Sequence, residues 1–299
     1  MPSPFIIINP AARSGRAGNF VEVLQELPGN PVVKLTTRPR EAEKLAREAV
    51  TQGYKKIVAA GGDGLINEVV NGMVTASTNS PALLGVLPLG TMNVFASELQ
   101  LPLDSINAAW EVILENQFHH VDLACATHLE TQRQRFFIQL AGIGIDAEVL
   151  EETSSASKMA FGPVSYLFSF LKVLFKKQPT LLLRCDEEME RKGSSLLLGN
   201  GKFYGGAFPF FPEAALDDGH LHVLLFKHHH FLELLGNLPA LLVGQPKALR
   251  TVQYFKTQEL VITTQDPRFK VPFELDGEMV DHLPVKITIE KKRLPVLVS

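Results

Sequence analysis

Cysteine is scarce. Cys125 and Cys185 are the only two in 299 residues, too few for a disulfide framework or a cysteine-rich zinc site, which fits a reducing cytoplasm. An excess of charge of either sign is also missing. With 29 Lys+Arg against 32 Asp+Glu the formal charge is −3, too balanced for a nucleic-acid binder that neutralises phosphates along a groove. No apolar run spans a bilayer. The most lipid-like stretch, Val164 to Phe175, is interrupted by Ser165, Ser169 and Lys172 and falls short of the ~20 residues required. The start Met1-Pro2-Ser3-Pro4 lacks a basic region, and the apolar run Phe5 to Ile8 is too short for a signal peptide, so no export is expected. Two phosphate-binding signatures are absent too. There is no G-x-x-x-x-G-K-[ST], and the first turn, Asn9 to Gly15, carries no G-x-G-x-x-G.

What is present is ordinary globular material, 45% hydrophobic and 20% charged, in a length that favours two domains. The first third alternates buried-strand and helix patterns, as βα units around a parallel sheet do. Strands are expected at Phe5 to Ile8, Val32 to Leu35, Lys56 to Ala60 and Leu83 to Leu87. Pro39 opens a helix with an apolar stripe at Ala42, Leu45, Ala46, Ala49 and Val50, which Gly53 closes. From about Val121 the texture turns strand-rich, with strands expected at segments that include Arg135 to Leu140 and Val285 to Glu290. They are interrupted by helical stretches around Phe161 to Lys177 and Phe231 to Leu242 and by the run His228-His229-His230, which reads as a solvated loop. This predicts a mostly antiparallel second domain. The expected boundaries are 1–120 and 121–299, with the last residues candidates to return to the first domain.

The chemistry concentrates in a few turns. Gly61-Gly62-Asp63-Gly64 lies between a strand and a helix, where glycines let backbone approach a ligand and free N–H groups favour an anion. An ordinary tight βα turn reads the same way. Asp63 is the informative residue, because a carboxylate beside phosphates repels them unless it holds Mg²⁺ or takes a proton. Asn67-Glu68-Val69-Val70-Asn71-Gly72 follows, then Pro88-Leu89-Gly90-Thr91-Met92-Asn93, then Asp276-Gly277-Glu278 far downstream. Singly these are helix caps, a turn and a hairpin. Their joint occurrence in this order is hard to produce by chance.

Those segments, together with Thr36, Gly142-Ile143-Gly144-Ile145-Asp146, Gly201 to Gly206 and Pro212 to Leu221, resemble the bacterial diacylglycerol kinase-like lipid kinases, relatives of sphingosine kinases. The resemblance implies an α/β N-terminal domain with a parallel sheet, a C-terminal β-sandwich and a nucleotide cleft between them. It implies nucleotide contacts from Asn9, Thr36, Gly61, Gly62, Asp63, Gly64, Leu65, Ile66, Asn67, Glu68, Gly90 and Thr91, and Glu278 as catalytic base, with Asp63 an alternative. It also implies a structural Mg²⁺ site in which Asp218 gives a carboxylate and Ala215 and His220 give carbonyls. The plain β-turn remains the other reading of Asp217-Asp218-Gly219. ATP would be the phosphoryl donor and a lipid hydroxyl the acceptor, in a cytoplasmic protein with peripheral contact at the inner membrane surface; a homodimer is compatible with this. Two residues depart from the common pattern: Leu65 stands where Thr is usual, as in sphingosine kinases, and Val94 where Asp is usual.

The acceptor side is less legible. The basic, aromatic-rich stretch Lys158 to Lys177 suits an anionic membrane surface or a helix packed on the second domain. Phe203, Tyr204, Phe208, Phe210 and Phe211 suit an acyl-chain wall or a core. An NAD kinase-like phosphotransferase and a non-catalytic nucleotide- or lipid-sensing homologue are the competing functions.

Overall fold

The computed structural model describes residues 3–10, 20–76, 82–144, 179–185, 190–204, 208–227, 243–245 and 252–299. The expected helical stretches at 161–177 and 231–242, and the His228-His229-His230 run, lie outside them. The chain divides into one unit built from residues up to 122 and 291–299, and a second built from 123–204 and 208–290.

In the first unit, β1 (Phe5–Ile8), β2 (Val32–Leu35), β3 (Lys56–Gly61) and β4 (Leu83–Pro88) form a parallel sheet in the order β2-β1-β3-β4. Strands β1 and β3 are buried throughout, as their continuous apolar runs require in a sheet covered on both faces. Helices α2 (Glu41–Thr51), α3 (Asp63–Val74) and α5 (Ile106–Glu115) supply the covering, with Ile6, Ile8, Val58, Leu87, Trp110, Ile113 and Leu297 in one apolar core. The chain passes from β1 to β2 on one side and then to β3 on the other, so the winding reverses between β1 and β3. Such a switch point leaves a crevice at the carboxyl ends of the strands.

Helix α2 starts two residues later than its proline suggests, because Arg40 takes a left-handed conformation (φ 61°) at the N-cap. Gly72 explains how tightly α2 and α3 pack. A Cβ there would overlap the Glu43 carbonyl and come within 2.8 Å of the Ala46 Cβ.

The second unit is antiparallel. One sheet runs β12 (Val252–Thr257), β11 (Leu221–Phe226), β10 (Ser195–Gly199), β7 (Leu140–Ile143), β14 (Pro272–Leu275), β15 (Glu278–His282). The other pairs the first half of β16 (Val285–Leu297) with β13 (Glu259–Thr264), then β8 (Leu181–Cys185) and β9 (Glu190–Gly193). Phe137, Leu183, Leu198, Val223, Ile262, Phe273 and Ile287 are buried in its core. The single strand expected over Arg135 to Leu140 is two, β6 (Gln134–Phe137) and β7. The backbone leaves the ladder at Ile138 and Gln139 because Asp276 takes their N–H groups. Strand β16 outruns its expected end at Glu290, and its far end pairs Val296 parallel to Leu84 in the first unit.

Candidate active site

Register gathers the candidate nucleotide residues along one edge of the parallel sheet. Ile8 pairs with Leu35 and with Ala60, and Gly61 pairs with Pro88. Asn9 and Thr36 therefore lie level with Gly61 and Pro88, with Gly62 and Leu89 one residue further on, and Asn9 and the Gly61-Gly62 turn flank the switch point. Thr36 is buried and donates its N–H to the Ile8 carbonyl at 2.9 Å. Thr91 is exposed, while Gly90 is buried.

The two glycine turns are built against each other. A Cβ on Gly62 would meet the Gly90 Cα at 3.1 Å, and one on Gly90 would overlap the Gly62 Cα and stand 2.6 Å from the Asn93 Oδ1. Asn93 holds the second turn. Its Oδ1 accepts from the Gly90 N–H at 2.9 Å, and its Nδ2 donates to the Pro88 and Gly90 carbonyls. Asn93 was legible in the motif but not as a site residue, because its bonds go to backbone brought round by a left-handed turn at its own φ of 50°.

Asp63 joins the same pair of turns. It is the first residue of α3, and its two carboxylate oxygens accept from the backbone N–H groups of Val94 (3.1 Å) and Phe95 (3.0 Å) at the start of α4 (Val94–Glu98). A carboxylate there satisfies N–H groups that a helix start leaves open and sits at the favourable end of its dipole. Glu68 does the equivalent for α2, accepting from the N–H groups of Arg40 and Ala42, both at 3.1 Å. Asn67 is buried and receives the Asn71 amide on its Oδ1 and its carbonyl. Ile66 is fully buried, so its side chain belongs to the core and only its backbone faces the turn. Leu65 lies over Gly61, where an added Cβ would come within 2.5 Å of its Cδ2; Gly64 is half-buried in the first turn of α3.

In the second unit, Asp276 and Gly277 form the turn between β14 and β15, both with positive φ (49° and 81°), as a two-residue hairpin with matching twist requires. The hairpin and the Asp276-Gly277-Glu278 motif are the same object. Asp276 accepts the N–H groups of Ile138, Gln139 and Leu140 at 2.9, 2.9 and 3.0 Å, and Glu274 accepts that of Gly277 at 2.7 Å. Glu278, first residue of β15, is thereby presented on a pinned turn with its side chain exposed. Nothing in the sequence marks Gln139, which is 4% exposed and whose two side-chain amide atoms lack a hydrogen-bond partner among the described residues.

The Asp218 segment is a turn in which the Asp218 N–H donates to the Ala215 carbonyl at 3.2 Å. The Asp218 Oδ1 accepts from the His220 N–H (2.9 Å) and Oδ2 meets His222 Nε2 at 2.7 Å. The other ring nitrogen, Nδ1, meets the Tyr254 hydroxyl. Burial pushes the His222 imidazole below its usual pKa, with Asp218 opposing, and pushes the Tyr254 phenol up. The ring is therefore neutral near pH 7, with Nε2–H donating to Asp218 and Nδ1 accepting from Tyr254. Among the described residues no three His, Cys, Asp or Glu side chains gather to hold a metal. The Asp218 turn offers one carboxylate and two carbonyls instead, on residues open to water, and such oxygen donors suit Mg²⁺.

A doubly wound α/β unit with a glycine turn at its switch point, followed by an antiparallel β unit, defines a nucleotide-binding class of fold. Residues 3–126 match the diacylglycerol kinase catalytic domain, and residues 140–298 match the YegS C-terminal NAD kinase beta sandwich-like domain. The chain belongs to the diacylglycerol kinase-like lipid kinase family. It is 30% identical over 268 residues, 88% of this chain and 84% of the other, to a probable lipid kinase YegS-like from Cronobacter sakazakii. To a diacylglycerol kinase from Staphylococcus haemolyticus it is 31% identical over 268 residues, covering 87% and 76%. In fold it matches a crystal structure of a diacylglycerol kinase from Bacillus anthracis str. Sterne, with a TM-score of 0.77 over 100% of this chain and 97% of that one at 21% identity. No described helix is long and apolar enough to cross a membrane.

Proposed function

We propose that the chain transfers the γ-phosphoryl group of ATP to a hydroxyl of diacylglycerol or a similar lipid, with Mg²⁺. The observation that carries this reading is the alignment of Asn9, Thr36, the Gly61-Gly62-Asp63 turn and the Gly90-Thr91 turn at the carboxyl ends of four adjacent parallel strands. Backbone N–H groups at the start of α3, with Gly62 and Gly90 free of side chains, suit an anionic triphosphate.

The acceptor oxygen attacks the γ-phosphorus, the bond to the β-bridging oxygen breaks, and ADP leaves. Glu278 takes the acceptor's proton on its carboxylate, a role that its exposed place on a pinned hairpin supports. The Asp218 carboxylate and the Ala215 and His220 carbonyls would hold a Mg²⁺ that would stiffen their turn, and a Mg²⁺ arriving with ATP would neutralise phosphate charge. Asp63 keeps the two glycine turns in register, and catalysis is then mostly positioning and charge neutralisation.

Radiolabelled ATP offered with diacylglycerols, sphingoid bases, phosphatidylglycerol and NAD tests the reading. Label in a lipid product supports it. Label in NAD alone points to the NAD kinase-like function, and no transfer with intact nucleotide binding points to a sensing homologue.

A further inference from the structure

A cavity of about 460 Å³ opens in the first unit at the C-terminal end of α3, between Val74 and the segment Lys291 to Pro295 of β16. Among the described residues its lining includes four basic ones, His120, Lys291, Lys292 and Arg293, and no acidic one. It is separate from the glycine turns, because α3 is 12 residues long and so places its two ends about 18 Å apart.

The cluster is produced by a backbone irregularity. In a regular strand successive side chains point to opposite faces, so three consecutive residues cannot all line one cavity. Lys292 breaks the alternation with a left-handed φ of 52°, a conformation unusual for a residue with a side chain. Asp122, 1% exposed, secures that bend by accepting the Lys292 N–H at 2.7 Å. Arg293 donates to the Val74 carbonyl at 3.2 Å, offsetting the negative end of the α3 dipole. Among the described residues Lys291 and Lys292 have no ion-pair partner, and both are exposed.

We infer that this cavity is a binding site for a phosphate group, distinct from the nucleotide turns. Ammonium and guanidinium groups carried by three consecutive lining residues suit phosphate oxygens, and the volume is that of a small-molecule site rather than of a bare ion. A lipid headgroup and a free phosphomonoester share this chemistry. The inference does not depend on the proposed transfer reaction.

The test compares wild type with Lys291→Gln/Lys292→Gln, which leaves Arg293 on the Val74 carbonyl, and with Lys44→Gln/Lys55→Gln, which removes equal charge from elsewhere on the same unit. Each is titrated with phosphatidylcholine vesicles containing phosphatidylglycerol, and with glycerol 3-phosphate in solution. Losing the two cavity lysines should weaken vesicle binding by about 30-fold if the phosphate is membrane-borne, and should abolish glycerol 3-phosphate binding if it is free. Thermal stability and turnover of a short-chain soluble acceptor should stay at wild-type values. Equal weakening by the two double variants makes the effect one of net charge and overturns the site. Absence of binding to either probe by wild type overturns it as well.

Discussion

Gly90 and Gly62 touch backbone to backbone: the space where a Cβ on Gly90 would stand is occupied by the Gly62 Cα. Gly90→Ala should therefore force the turns apart and cost about 1–3 kcal/mol, as overpacking does. Gly62→Ala, whose Cβ would meet the Gly90 Cα at 3.1 Å, should cost less. Urea midpoints and ATP calorimetry on both variants check the order. Gly90→Ala as stable as wild type would contradict the packing.

Asp63→Asn replaces one accepting oxygen with an amide that faces a backbone N–H of α4. Leaving that donor unmet costs about 1–3 kcal/mol. The variant should lose stability and ATP affinity together, since the clamp shapes both glycine turns. Lost turnover with stability and ATP affinity intact would instead make Asp63 the base.

Glu68→Ala removes the acceptor from the first turn of α2 and should cost about 1 kcal/mol, the value of a helix cap. Its two oxygens serve that helix, so calorimetric ATP affinity should hold. A tenfold weaker affinity at unchanged stability would return Glu68 to the nucleotide.

His222 gives the protein an acid-sensitive point. Burial lowers its pKa below 6.5 in the folded state, so the unfolded chain binds the proton more readily. Its contribution to stability is complete above 6.5 and is lost as pH falls below that value. Melting temperature measured with a chelator should drop across this window, and His222→Gln should flatten the drop. An identical pH profile for the two would contradict a neutral buried ring.

Gln139→Leu removes an amide that has no partner among the described residues and keeps the backbone bonds around it. The variant should be at least as stable as wild type, because a buried unmet amide costs about 1–3 kcal/mol. A loss of stability in urea would show that the amide is engaged.

Strands β1 to β4 and their helices were readable because a parallel sheet is written in local apolar runs and caps. The division of Arg135 to Leu140 into two strands was not readable, since its cause is Asp276, far along the chain. The same holds for the site. Glycine turns and Glu278 stand out as motifs, whereas the tasks of Asp63, Glu68 and Asn93 depend on which helix start or turn comes to lie beside each carboxylate or amide. Gln139 leaves no local signal, because its lack of partners among the described residues is a property of the folded surroundings alone.

The most direct measurement follows label from γ-labelled ATP into the organic phase with diacylglycerol, for wild type and Glu278→Gln, alongside ATP calorimetry. Wild type should yield labelled phospholipid, and Glu278→Gln should lower kcat by about 10²–10⁴-fold at unchanged ATP affinity. Labelled lipid formed at the wild-type rate by Glu278→Gln would contradict the assigned base, and a wild type that binds ATP yet labels no lipid would contradict the proposed reaction.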